Sequence, residues 1–292
     1  MFLCCMKTVK DAFNVFKAGL AELYNPAESD SITSLLLTDL TKLSNAQLKA
    51  FADTELNVVQ SERLLTQLNQ LKTGMPVQYV LGYTEFYGFP FEVNPSVLIP
   101  RPETEELVHW ILKTITNTQG LNILDIGTGS GCIPISLKLN ESNNQLLAID
   151  ISTKALQMAE RNAKLNNATV TFVEADILDI KQSVITEQKY HVIVSNPPYV
   201  TGTDKLQMHH NVIDFEPHTA LFVPDNDPLL FYNAIANFAT THLEPSGYLF
   251  FEINESYGQE TVDMLKSKGF IQIELRKDMA GKDRMIRANW AS

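Results

Sequence analysis

The chain has 292 residues, 45% hydrophobic and 20% charged, which suits one domain of ordinary size plus a smaller one and excludes a disordered or low-complexity polypeptide. Its 34 acidic against 23 basic residues give a net charge of −11, which opposes non-specific binding to a phosphate backbone and disfavours nucleic acid as a direct partner. No apolar run reaches the ~18–20 residues of a membrane-spanning helix, and Cys4, Cys5 and Cys132 lack metal-ligand spacing, so a soluble chain with free thiols in a reducing cytoplasm is expected.

The opening Met1 to Met6 is apolar but too short for a signal-peptide core, and Met6 offers a second start. Thr8 with Asp11 forms a capping box, and Val9, Phe13, Phe16, Leu20 and Leu23 follow at helical spacing, predicting a first helix that ends near Asn25-Pro26. A second carries Ile32, Leu36 and Leu40. Ser44 with Gln47 opens a third bearing Leu48 and Phe51, and a fourth holds Leu64, Leu65, Leu68 and Leu71 before Gly74 and Pro76. Residues 1–75 are therefore predicted to be a small N-terminal helical bundle. It holds no cluster suited to chemistry, so its expected role is structural or to dock a partner.

Residues 76–99 alternate aromatic and β-branched positions with Gly82, Gly88, Pro90 and Pro95, which predicts a linking β-hairpin. Pro102 then starts a helix, with Glu103 and Glu105 complementing its dipole. Across residues 100–292 strands alternate with helices: strands at Leu121 to Asp125, Leu146 to Ile149, Val170 to Val173, Val192 to Val194 and Tyr248 to Ile253, with helices from Cys132, around Ala155 to Ala159, and from Leu229. That order predicts an α/β fold with a doubly wound parallel sheet. Ile271, Ile273 and Leu275, a turn at Gly281, then Met285 and Ile286 add an antiparallel C-terminal edge hairpin.

Gly127-Thr128-Gly129-Ser130-Gly131 lies between the first strand of this sheet and its helix, where backbone N–H groups and the helix start are expected to face a ligand. The dinucleotide spacing G-x-G-x-x-G requires glycine at 132 or 134, where Cys132 and Pro134 stand, and no G-x-x-x-x-G-K-[ST] run is present. NAD and ATP loops are thereby disfavoured. Asp150 ends the second strand, the place from which a carboxylate accepts hydrogen bonds from both ribose hydroxyls. Asp176, after the third, is expected to receive an adenine amino group, with Ile177 against the ring. A nucleoside without phosphates fits this set.

The stretch Val192 to Tyr199 is a buried strand that ends in Asn196-Pro197-Pro198-Tyr199. Each proline straightens the residue before it and offers no N–H, so what remains is a stiff fork of acceptors. The Asn196 side-chain oxygen and the Pro197 carbonyl are placed to bind both hydrogens of a planar NH₂ group, and Tyr199 supplies a ring face. Asn-Pro-Pro alone reads equally as a strand-ending turn; its setting decides.

Taken together, Asp125-x-Gly127-x-Gly129-x-Gly131, Asp150 and Asn196-Pro197-Pro198-Tyr199 resemble a class I S-adenosylmethionine-dependent methyltransferase acting on planar nitrogens. Val97-Leu98-Ile99-Pro100-Arg101-Pro102-Glu103-Thr104-Glu105, the Gln78-Tyr79 to Gly82 segment and Phe215-Glu216-Pro217-His218-Thr219-Ala220-Leu221 narrow the resemblance to the PrmC/HemK family of glutamine methyltransferases. It implies S-adenosyl-L-methionine as methyl donor and the glutamine of the Gly-Gly-Gln motif in peptide chain release factors as acceptor. It further implies a role in translation termination, no metal, and no membrane. On this reading Gly127, Thr128, Gly129, Ser130, Gly131, Asp150, Asp176, Ile177 and Asn196 hold the donor, Asn196, Pro197, Pro198 and Tyr199 hold the substrate, and Asn196, Pro197 and Tyr199 carry catalysis. A base-modifying DNA or RNA enzyme shares the fork but needs a basic surface, and a non-catalytic module would have lost one of Gly127, Asp150 or Asn196.

Overall fold

The fold is described from a computed structural model covering residues 6–116, 118, 120–206 and 208–291; Cys4 and Cys5 lie outside the described residues. The chain divides into two compact units, one reaching to Gly82 and including His210–Phe215, the other formed by Tyr83–His209 and Glu216–Ser292.

The smaller unit is built on helices Val9–Leu20, Pro26–Thr41, Asn45–Ala50, Val58–Leu71 and Val77–Leu81. Its core includes Phe16, Leu20, Leu36, Leu64 and Leu68 from the helical spacing, joined by Leu37, while Leu23 lies beyond the first helix and is exposed. The capping boxes at Thr8 and Ser44 form. Three further details differ from expectation. Asn25 opens the second helix instead of closing the first: its Oδ1 accepts the Glu28 N–H at 3.0 Å with Pro26 at the first helical position. Phe51 ends the third helix and is exposed. Residues 77–81 are a helix and not the start of a hairpin, because Val77, Val80 and Leu81 have the i, i+3, i+4 spacing that reaches the helical core, and Gly82 closes the turn with φ +85°.

In the larger unit, β1 (Tyr83–Phe86) and β2 (Phe89–Glu92) pair through a two-residue turn, Tyr87-Gly88, with φ of +52° and +79°. Phe86 and Phe91 meet edge to face at 5.9 Å inside the core that also holds Trp110, Val192 and Val194. The hairpin expected as a linker is thus packed into this unit.

Seven strands make the main sheet: β3 (Asn122–Ile126), β4 (Gln145–Asp150), β5 (Thr171–Glu174), β6 (Tyr190–Ser195), β7 (Leu243–Glu252), β8 (Phe270–Lys277) and β9 (Asp283–Trp290), in the spatial order β5-β4-β3-β6-β7-β9-β8. The first five run parallel; β9 is antiparallel to both β7 and β8, giving the edge hairpin. Both faces are covered. Ile193, Leu124, Leu249 and Phe251 enter one core while Val192, Val194, Ile123 and Phe250 enter the other, which is why these strands read as unbroken apolar runs. The chain runs outward from β3 to β4 and β5, then returns to place β6 on the other side of β3. The carboxyl ends of β3 and β6 therefore flank the switch point, where open α/β sheets hold ligands.

Candidate functional site

At that switch point a cavity of about 350 Å³ opens. Gly127, Thr128, Gly129 and Ser130 from the loop after β3 line it, with Asp150 from β4, Asp176 and Ile177 after β5, and Asn196, Pro197 and Pro198 after β6. A second cavity of about 300 Å³ lies against the first and is lined by Tyr199, Asp204, Asn254 and Arg284 among others. Leu98, Arg101, Asn196, Pro197 and Ala220 border both, so the Asn196-Pro197 peptide stands in the partition between them.

The glycine loop is fastened by its own backbone. Gly127 and Thr128 donate to the Ile149 carbonyl at 2.9 and 3.0 Å, and Gly129 donates to Asp150 Oδ2 at 2.9 Å. These three N–H groups, expected to face a ligand, instead tie the loop to β4. Gly131, also expected to hold the donor, is absent from the cavity wall. A Cβ there would come within 3.0 Å of Ala159 Cβ and Ile135 Cδ1, so this glycine allows two helices to approach closely. Asn162, fully buried, donates to the Ser130 carbonyl at 2.9 Å and accepts from Glu92 N at 2.7 Å, joining the loop to β2.

Asp150 accepts from Gly129 and Ser152, one bond on each oxygen, which leaves a further lone pair on each for a diol. Burial pushes its carboxyl above the ordinary range, against the backbone N–H groups of Ser152, Gly129 and Ile151. Beneath the loop, burial raises Asp125 to about 7. Thr128 is near enough to oppose that rise, yet neither Asp125 oxygen nor the Thr128 hydroxyl has a hydrogen-bond partner of good geometry among the described residues. Burial also pushes the Cys132 thiol up to about 12, far from a nucleophile.

The fork is held by segments distant in sequence. Tyr199 and Val200 donate to the Leu221 carbonyl at 3.2 and 2.8 Å, and Val223 returns a bond to Val200 at 2.9 Å. Arg101 pairs with the buried Glu216 at 2.6 Å, and Glu216 also accepts from Ile99 N at 3.3 Å. Asn196 Nδ2 donates to Thr104 Oγ1 at 3.3 Å, while no described residue donates to Asn196 Oδ1 or the Pro197 carbonyl. Two free acceptors thus sit on the partition. Tyr199 lines only the smaller cavity, its hydroxyl donating to Glu252 Oε1 at 3.3 Å.

These residues suit a sulfonium nucleoside: apolar walls at Ile126, Ile133 and Ile177 for a base, and open lone pairs on Asp150 for a ribose. Residues 11–82 match the PrmC N-terminal domain and residues 107–218 the methyltransferase small domain. A release factor glutamine methyltransferase of Flavobacterium psychrophilum is 46% identical over 97% of this chain and 99% of its own length. The chain belongs to the release factor glutamine methyltransferase family. A member from Bacteroides thetaiotaomicron is 42% identical over 94% of this chain and 97% of its own. Among solved structures, a Pyrococcus furiosus methyltransferase superposes with a TM-score of 0.53 at 18% identity, covering 81% of this chain and all of its own, which shows the shared fold.

Sequence reasoning missed Glu252, the contact of Thr104 with the fork, and the pairing of Arg101 with Glu216, although Arg101, Thr104 and Glu216 stand in the stretches that carry the resemblance. Thr104 sits among Glu103, Glu105 and Glu106, which look like helix-dipole charges, and Glu252 ends a strand otherwise apolar. Only the sheet's closure brings either to the fork.

Proposed function

We propose that this enzyme transfers the methyl group of S-adenosylmethionine to the side-chain amide nitrogen of the glutamine in the Gly-Gly-Gln motif of peptide chain release factors, and so modulates translation termination. The observation that carries this is the pair of free acceptors, Asn196 Oδ1 and the Pro197 carbonyl, in the wall between two adjoining cavities. One cavity takes the donor and the other admits a side-chain amide. Gly127, Thr128, Gly129, Ser130, Asp150, Asp176 and Ile177 would hold the donor, and Asn196, Pro197, Pro198 and Tyr199 the amide.

When bound, S-adenosylmethionine supplies a methyl on a sulfonium, which departs as a neutral thioether once the new N–C bond forms. The amide nitrogen is a poor nucleophile because its lone pair is shared with its carbonyl, so the enzyme's main contribution is aim. Asn196 and Pro197 each accept one amide N–H, fixing the nitrogen and favouring the positive charge and loss of planarity that develop on it. Pro198 keeps the fork stiff and Tyr199 walls the amide's side. The methylated nitrogen sheds a proton to water, and no strong base is required of the chain. The helical unit is assigned to docking of the factor, and the reaction to the cytoplasm.

The test supplies methyl-labelled S-adenosylmethionine with a purified release factor, with its Gly-Gly-Gln Gln→Ala variant, and with duplex DNA. Label is expected on the factor alone. Label retained by the Gln→Ala variant, or found on DNA, would overturn the reading.

A further inference from the structure

Glu252, the last residue of β7, is 1% exposed and gathers two hydroxyls: Thr104 Oγ1 on Oε2 at 2.6 Å and Tyr199 on Oε1 at 3.3 Å. Burial raises this carboxyl above its ordinary range, and the two hydroxyls together with the Arg284 charge work against that rise, each hydroxyl meeting an accepting oxygen. Thr104, 2% exposed in the first turn of helix Pro102–Thr114, has a single hydroxyl proton, and that proton is engaged by Glu252. Toward Asn196, at 3.3 Å, the Thr104 oxygen therefore presents only lone pairs. An asparagine side chain has one donating and one accepting end. Its NH₂ must face Thr104, because the reverse rotamer would set two acceptors against each other.

We propose that Glu252 and Thr104 form a positioning relay that fixes the direction of the Asn196 carboxamide, so that its oxygen and not its NH₂ is offered to the incoming glutamine. This rests on the methyl-transfer reading above. Glu252 lines neither cavity and Thr104 only borders the larger one, so each is taken to act through Asn196. With the relay intact the fork is two acceptors facing an NH₂ group. Without it, Asn196 is free to turn, and its flipped form meets the substrate N–H with a donor.

The relay makes a claim that a merely structural role does not. Thr104→Val keeps the shape and removes the hydroxyl, so turnover should fall ~10–100-fold, the effect of a lost or reversed buried hydrogen bond. KM for the release factor and the dissociation constant for S-adenosylmethionine should stay within about threefold, since the lost interaction matters in the transition state. Thr104→Ser, which restores the hydroxyl, should recover most of the turnover. Glu252→Gln replaces an obligate acceptor by a group that also donates, and turnover should fall by roughly 3–10-fold with fold and donor affinity retained.

Parental turnover in folded Thr104→Val, or Thr104→Ser as slow as Thr104→Val, overturns the relay. If Thr104→Val fails to fold, Glu252→Gln decides, and parental turnover in that variant overturns it. A parent enzyme that leaves the factor's glutamine unmethylated would instead defeat the underlying reading, so the two failures are distinguishable.

Discussion

Two loops meet at the donor cavity from neighbouring strands, and they are held in place by different means. The glycine loop after β3 is fixed mainly by its own main-chain N–H groups, bonded to Ile149 and Asp150 on the adjacent strand β4, with the Asn162 side chain holding Ser130. The Asn-Pro-Pro-Tyr segment after β6 is fixed by side chains and segments far along the chain: Thr104, 92 positions from Asn196, Glu252, 53 from Tyr199, and the strip around Leu221. Geometry that must hold a ligand is set mostly by the loop's own backbone donors, and geometry that must aim a reacting atom mostly by side chains distant in sequence. A change in the first should therefore read out in donor affinity, and a change in the second in turnover.

The sharpest break of that division is Asn196→Ala. It removes one preorganised acceptor and leaves the Pro197 carbonyl, so turnover should fall by about 10²–10³-fold, the effect of losing one transition-state hydrogen bond. Donor affinity, followed by calorimetric titration, should change far less. A large loss of donor affinity with turnover preserved would show that Asn196 belongs to the holding part of the site.

The same contrast explains what was legible in the sequence. The placement of Asp150 and of Asn196-Pro197-Pro198-Tyr199 at the cavities was readable because their residue types and spacing carry their geometry: a carboxylate at a strand end, two prolines that fix a turn. The parallel sheet was readable from apolar runs covered on both faces. Gly131 stands off the cavity wall, because a glycine needed for close packing against Ala159 is written like one needed beside a ligand. Residues 77–81 were misread because Tyr79 and Val80 favour strands in isolation, while packing against the helical core decided the outcome. Glu252 left no local signal, and Thr104 only its place in Arg101-Pro102-Glu103-Thr104-Glu105, since the bond between them spans 148 positions and exists only once the sheet has closed.

A pH effect on stability should follow from Asp125. Its carboxyl is fully buried and raised from 3.8 to about 7, with burial as the main cause and the neighbouring Asp150 charge adding to it. A carboxyl raised in the folded state stabilises the fold below its unfolded value and loses that contribution as pH climbs through the folded value. By pH 5 the unfolded chain has already released this proton while the folded chain keeps it up to about pH 7, so roughly 2–3 kcal/mol of stability should be lost to this group across that interval. Urea unfolding at pH 5 and pH 8, without donor, should show that loss in the parent and a smaller one in Asp125→Asn. Equal slopes in the two proteins would mean that Asp125 is charged at both pH values.

The smallest effect tests the holding part of the site at two glycines of one loop. At Gly129, φ is +55° and a Cβ would meet no protein atom within 4 Å, so Gly129→Ala adds only left-handed strain of ~1–2 kcal/mol. Because Gly129 lines the donor cavity and its N–H fixes Asp150, the strain should appear as roughly tenfold weaker donor binding, with turnover at saturating donor near the parent's. Gly131→Ala has the same kind of strain, with φ +80°, and in addition drives its methyl to 3.0 Å from Ala159 and Ile135. Helices Cys132–Asn140 and Thr153–Leu165 would have to separate, so that variant should lose melting temperature first. If Gly129→Ala lowered turnover and spared donor affinity, the loop would be part of the aiming machinery, and the division between backbone that holds and side chains that aim would fail at its simplest point.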